Sequence, residues 1–238
     1  MTIVIVTLAT LGLFAPSIYG QNQSERQQQT EEKPLPVLLV HGYTEDAAVW
    51  KKWEDMLRKD GIQFFTVTFK DSDDKCGSAK QHAIELEKMV QDIKEQSGAQ
   101  KINIVGHSKG GLDARVFLDN TDTKDVANLI MIGTPNAGSP VAETNDVCAP
   151  AVYDLRLGAN ATKAVINPNT KYYTIAGDWM RLTQGNLMIP GNDNGLVPVE
   201  SVESQQYFQS LGRTEHGHAE LLSEKEYQMS KDILIGNK

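Results

Sequence analysis

Cysteine is represented by two residues, Cys76 and Cys148, aromatics make up 7% of the 238 residues, and no cluster of basic residues stands out in a chain of net charge −8. Each scarcity excludes something. Without a Lys/Arg cluster there is no electrostatic footprint for a phosphate backbone, so nucleic acid is not an expected partner. Two cysteines rule out a disulfide-dense scaffold but suit an exported protein with one bridge, since both fall in stretches that read as loops. No G-x-G-x-x-G or Walker pattern occurs, which removes the commonest nucleotide-binding turns. The apolar run from Ile3 to Phe14 is too short, and too interrupted by Gly12 and Pro16, for a confident membrane span.

That run, followed by the small-residue stretch Ser17 to Gly20, reads instead as a secretory signal peptide over residues 1–20, although no Lys or Arg precedes it. Residues 21–33 are a polar, low-complexity linker that has no apolar surface to bury. The remainder, residues 34–238, is expected to form one catalytic domain in an extracellular setting. A chain 40% hydrophobic at this length is able to bury one substantial core.

Within the domain, strand and helix patterns alternate. Pro36 to His41 is a continuous apolar run of strand length, as expected of a parallel strand covered on both faces. A helical pattern through Ala47, Ala48, Trp50, Trp53 and Leu57 stops at Gly61, and Ile62 to Phe69 reads as a second strand. Ser78 caps a helix that keeps 3/4 apolar spacing to Gly98. Further strands are expected at Lys101 to Val105, Val126 to Ile132, Lys171 to Ala176 and Gln205 to Leu211. The last helix carries a Ser223/Glu226 capping box. This order predicts an α/β fold with a mainly parallel, doubly covered sheet and a ligand site at the carboxyl ends of the strands.

The most informative segment is Gly106-His107-Ser108-Lys109-Gly110, a G-x-S-x-G turn placed behind an apolar strand and ahead of a helical face formed by Leu112, Ala114, Val116, Phe117 and Leu118. A turn this sharp brings backbone against backbone, so Gly106 and Gly110 leave no room for a Cβ, and the serine Oγ projects above the sheet edge. Ser108 is the candidate nucleophile. A serine hydroxyl needs a base within hydrogen-bond reach and an acid that orients the base. His218 and His216, in the loop after the last strand, are the candidate bases, and His218 is preferred because Ala219, Glu220, Leu221 and Leu222 are expected to begin a packed helix behind it that holds the loop. Asp193 and Asp178 are the candidate acids, with Asp193 preferred in its polar turn. The backbone amides of Lys109 and Tyr43 are the expected oxyanion donors, the latter turned inward by Gly42.

Taken together, residues 37–43, 105–115, 132–140, 172–177, 192–199 and 217–222 resemble the α/β-hydrolase superfamily, and more narrowly the secreted bacterial and archaeal lipases and esterases related to triacylglycerol lipases. The resemblance implies a serine hydrolase that cleaves carboxylic esters through an acyl-enzyme, with Ser108, His218, Tyr43 and Lys109 in the roles just given. The alternatives are a thioesterase or amidase on the same machinery and a non-catalytic α/β-hydrolase-like binding module, which the complete set of nucleophile, base and acid argues against. The resemblance implies no metal or organic cofactor, a small-molecule or lipid ester as substrate, and transient contact with a lipid interface. One departure concerns the acid. Relatives place it immediately before the Gly of Gly-Leu-Val-Pro, where this chain has Asn194, one residue after Asp193. Two inserts, residues 136–170 and Trp179 to Asn192, are expected to be lid-like and to line an acyl-binding cleft, with a Cys76–Cys148 bridge expected to tie down the first.

Overall fold

The computed structural model describes residues 33–179 and 189–236. The expected signal peptide and residues 21–32 of the linker lie outside the described residues, as do Met180, Leu182, Leu187 and Met188 of the second insert. Among the described residues six strands form one sheet: β1 (Val37–Val40), β2 (Phe64–Thr66), β3 (Ile102–His107), β4 (Val126–Ile132), β5 (Lys171–Gly177) and β6 (Gln209–Thr214). Their order is β2-β1-β3-β4-β5-β6, and every neighbouring pair is parallel. The helices between them are α1 (Lys51–Lys59), α2 (Ala79–Ser97), α3 (Lys109–Asn120), the one-turn α4 (Ala151–Asp154) and α5 (Val199–Val202), and α6 (Glu224–Leu234).

The alternation of side chains along each strand divides the core in two. Leu38, Val40, Ile102, Ile104, Leu129 and Met131 point to the face covered by α2 and α3. Val37, Leu39, Val105, Ile130, Ile132 and Ile175 point to the face covered by α1 and α6, against Trp50, Trp53 and Tyr227. Both faces are dry, which is why β1 reads as an unbroken apolar run. Each such side chain stabilises the fold by about 1.5–3 kcal/mol relative to exposure.

Local signals set most element ends. Ser78 and Gln81 cap α2 reciprocally, and Gly98 closes it in the left-handed region at φ 71°. Ser223 and Glu226 do the same at the start of α6. The deviations from expectation are at the sheet margins. The second strand contracts to Phe64–Thr66, an edge strand paired on one side only. The last strand starts later than expected, because Gln205 to Phe208 close a turn (Phe208 N–H to Gln205 O, 3.1 Å) before pairing with β5 begins at Gln209. Residues 218–220 form a short 3-10 turn rather than the start of the final helix, which waits for the Ser223 cap.

Strand β1 lies between β2 and β3, so the chain leaves it toward one edge and returns on its other side. The crevice at such a reversal, outside the carboxyl ends of the strands, is where open parallel sheets bind ligands. The end of β1 delivers His41, Gly42 and Tyr43 there, and the end of β3 delivers Ser108.

Candidate active site

Ser108 joins β3 to α3 with φ 51° and ψ −124°, a conformation that a non-glycine residue holds only under strain. The glycines around it are required by contact. A Cβ on Gly106 would lie 2.6 Å from the Gly111 nitrogen, and one on Gly110 would lie 2.4 Å from both the Val40 and His41 carbonyl oxygens. Ser108 N–H donates to Ile132 O at 2.9 Å, which docks the turn onto β4. The side chain is nearly buried, and its Oγ lies 2.9 Å from His218 Nε2. Of the two candidate histidines, His218 therefore reaches Ser108. His216 is engaged elsewhere, its Nδ1 2.7 Å from Oε1 of the fully buried Glu226.

Two braces hold His218. Its backbone N–H donates to Asn194 O at 2.8 Å, and its own carbonyl accepts from His107 Nε2 at 3.2 Å. The rings of His107 and His218 are 5.0 Å apart. His107 in turn meets Glu45 Oε2 through Nδ1 at 2.9 Å, and the same carboxylate oxygen accepts from Gly42 N–H at 2.7 Å. Burial raises the Glu45 carboxyl, but the hydrogen bond and charge from His107, with the Gly42 amide, more than offset this and hold it below the usual range. Burial drives the His218 imidazole down to about 3, with His107 adding to the effect and Glu45 opposing it. His218 is thus neutral at any ordinary pH, as a proton acceptor must be.

The expected acids are not joined to His218. Asp193 is fully buried, and its Oδ1 accepts from Gly195 N–H at 2.6 Å while Oδ2 has no partner. Asp178 accepts from Asn192 Nδ2 at 3.2 Å through Oδ2, and its Oδ1 is likewise buried without a partner. His218 Nδ1, the atom an orienting acid would meet, has no hydrogen-bond partner.

The loop after β1 runs tight against the serine, since a Cβ on Gly42 would sit 2.9 Å from Ser108 Cβ. Tyr43 follows at the cleft wall, its hydroxyl donating to Val147 O. Lys109 opens α3, and its side chain turns away from solvent. Nζ donates to Asp113 Oδ1 at 2.6 Å and lies 3.4 Å from His82 Nδ1, which is 2.8 Å from Asp113 Oδ2. All three are buried, and the His82 ring stacks on Phe69 at 3.6 Å. Burial raises the Asp113 carboxyl, and the charges of Lys109 and His82 more than reverse that. Sequence reading missed this cluster behind the serine, and the Lys109/Asp113 spacing of four on a helix was the available signal.

A cleft of about 350 Å³ opens beside Ser108 and His218. Its walls are mostly apolar: Val141, Ala142, Val152 and Leu155 from the first insert, and Leu196 and Val197 from the segment after the second. The first insert is stapled by the Cys76–Cys148 disulfide, by Ala151 N–H to Cys76 O at 3.1 Å, and by Ala79 N–H to Asp154 Oδ2 at 2.6 Å.

Comparison with known proteins agrees with this architecture. The chain is similar to a mature-form lipase of Bacillus licheniformis, with a TM-score of 0.69 and 20% identity over 87% of this chain and 94% of that one, a likeness of fold. It is 27% identical over 146 residues to a triacylglycerol lipase of Vibrio cholerae and 30% identical over 117 residues to one of Pseudarthrobacter phenanthrenivorans. The matches cover 58% and 45% of this chain, and the chain spans 45% and 35% of those relatives' lengths. The family described as palmitoyl protein thioesterase matches residues 36–192, a stretch that holds the serine turn, the Tyr43 loop, the disulfide and the first insert. With an α/β-hydrolase sheet beneath that stretch and a histidine on its serine, the chain belongs to the palmitoyl protein thioesterase family.

Proposed function

We propose that the chain is a serine hydrolase that cleaves carboxylic esters, with Ser108 attacking the acyl carbonyl and water releasing the acid from the acyl-enzyme. The observation that carries this reading is the 2.9 Å contact between Ser108 Oγ and His218 Nε2 on a strained strand-to-helix turn. In this reading His218 takes the serine proton and returns it to the leaving alkoxide. The amides of Tyr43 and Lys109 hold the oxyanion, a contribution of about 3–4 kcal/mol per donor. Their support is position: Lys109 is the first residue of α3, and the Tyr43 loop abuts Ser108. The expected acid, Asp193, is engaged by the Gly195 amide, so the proposed reaction starts from the Ser108–His218 pair.

The apolar walls favour an acyl chain in the cleft, and the lipase relatives favour lipid esters as the substrate class. Val147 and Leu196, both exposed at the cleft region, suit transient contact with a lipid surface. Export is part of the proposal, supported by the disulfide and the apolar run at residues 3–14. A thioester is the second reading, favoured by the family match.

A fluorophosphonate probe tests the proposal. It should label the wild-type protein and fail on Ser108→Ala; a folded wild type that resists the probe would remove the hydrolase reading. Matched series of oxygen esters and thioesters, from short to long acyl chains, then rank the two substrate classes. A rate indifferent to acyl length would remove the cleft from the acyl site.

A further inference from the structure

Two of the buried polar atoms without partners belong to residues that are tied together beside Ser108. His218 Nδ1 is one and Asn194 Nδ2 is another. Asn194 is 2% exposed, and its side-chain oxygen accepts from Leu196 N–H at 3.1 Å and Val197 N–H at 2.8 Å. Two amide donors on that oxygen fix which end of the side chain is which, so the NH₂ group faces the other way. That group and the histidine ring both flank Gly133. A Cβ built on Gly133 would lie 3.5 Å from Asn194 Nδ2 and 3.5 Å from His218 Cε1, the ring carbon next to Nδ1. The main chain ties the two residues as well, through His218 N–H to Asn194 O.

The two orphan atoms have one explanation. For His218 Nε2 to accept the Ser108 proton, Nδ1 must carry hydrogen, and the free end of the neighbouring Asn194 side chain offers that N–H only further N–H bonds. Donor meets donor, and neither is satisfied. If the ring changes tautomer, Nδ1 accepts from Asn194 and Nε2 carries the hydrogen toward Ser108, where it is unable to act as a base. A carboxylate in the same place would accept from Nδ1–H and favour the productive tautomer.

We propose that Asn194, rather than Asp193, is the positioning residue beside His218, and that its amide restrains the reaction by opposing the tautomer in which the histidine is a base. This rests on the Ser108–His218 reading above. The site is then an attenuated one, in which a single exchange of amide for carboxylate restores the missing acceptor. Asn194→Asp keeps an oxygen for the Leu196 and Val197 amides, so the turn is preserved. The titratable neighbours of His218 are His107 and Glu45, and a carboxylate at 194 adds a third that raises the imidazole from its low value.

The test compares wild type, Asn194→Asp, Asp193→Asn and the double variant Asn194→Asp/His218→Ala on a short-chain nitrophenyl ester, with peptide mass spectrometry confirming the amide at 194 in the wild-type sample. Asn194→Asp is expected to raise kcat about 100-fold or more with a smaller change in KM. It should also move the acid limb of kcat/KM to higher pH, and His218→Ala should abolish the gain. A folded Asn194→Asp whose kcat is unchanged or lower, beside an Asp193→Asn that loses several orders of magnitude, would return the third place to Asp193 and overturn the inference alone. Failure of both wild type and Asn194→Asp to react with the fluorophosphonate would remove the hydrolase reading and this inference together.

Discussion

At the scale of the residue, the chemistry-bearing atoms were visible in the sequence to different depths. Ser108 and the glycines around it were legible because sterics dictate that turn, and the contact distances at Gly106 and Gly110 bear this out. His107, Glu45 and His82 were not, because each acquires its partner from a remote segment: His107 meets Glu45 across 62 positions and His82 meets Asp113 across 31. Lys109 was read for its backbone alone, yet its buried ammonium neutralises Asp113 directly behind the serine. Replacing one member of a dry ion pair leaves the other charge uncompensated, at a cost of about 3–5 kcal/mol. Lys109→Met should therefore lower unfolding stability by about that amount in urea titration, and Lys109→Met/Asp113→Leu should recover part of it. Equal losses in the single and double variants would show that the pair contributes nothing beyond packing.

At the scale of the element, β1, β3, β4 and β5 appear within a residue or two of expectation, because strands buried on both faces are rich in apolar residues, without a break in β1 and with single polar interruptions in the others. The edge strands β2 and β6 did not resolve as well, since a strand paired on one side has a weaker pattern to read; β6 contains Ser210, Gly212 and Arg213. The expected bridge between Cys76 and Cys148 is present. It closes a separation of 72 residues, for which chain-entropy reasoning gives about 4 kcal/mol. Cys76→Ser/Cys148→Ser should lower Tm and should also raise KM for long-chain esters more than for short ones, because the tethered insert forms the cleft wall. A Tm loss with no dependence of KM on chain length would confine the bridge to stability.

At the scale of the whole molecule, the parallel sheet with α1 and α6 on one face and α2 and α3 on the other follows the alternation of patterns along the chain. What it did not disclose is how burial sets proton affinities. His218 binds its proton near pH 6.5 when unfolded and near 3 when folded, so the unfolded state holds more protons in that window. Stability is therefore full above about pH 6.5 and declines as pH falls toward 3. The depressed carboxyls of Glu45 and Asp113 act in the same direction below their unfolded values, near 4.5 and 3.8. Chemical denaturation between pH 7 and 4 should show a loss on the order of a few kcal/mol. His218→Asn should flatten the upper part of that slope, and an unchanged slope in this variant would dissociate it from the histidine.

The backbone of Ser108 has a consequence for how the molecule stands in evolution. A serine at φ 51° sits where glycine would rest without penalty, and such a posture costs on the order of 1–3 kcal/mol. Drift toward a hardier protein therefore runs downhill at that codon, to a glycine that tolerates heat better and has no hydroxyl. The thermal ceiling of this chain is thereby set below what its core alone would permit, and this torsion contributes to the shortfall beside those of Thr44 and Cys148.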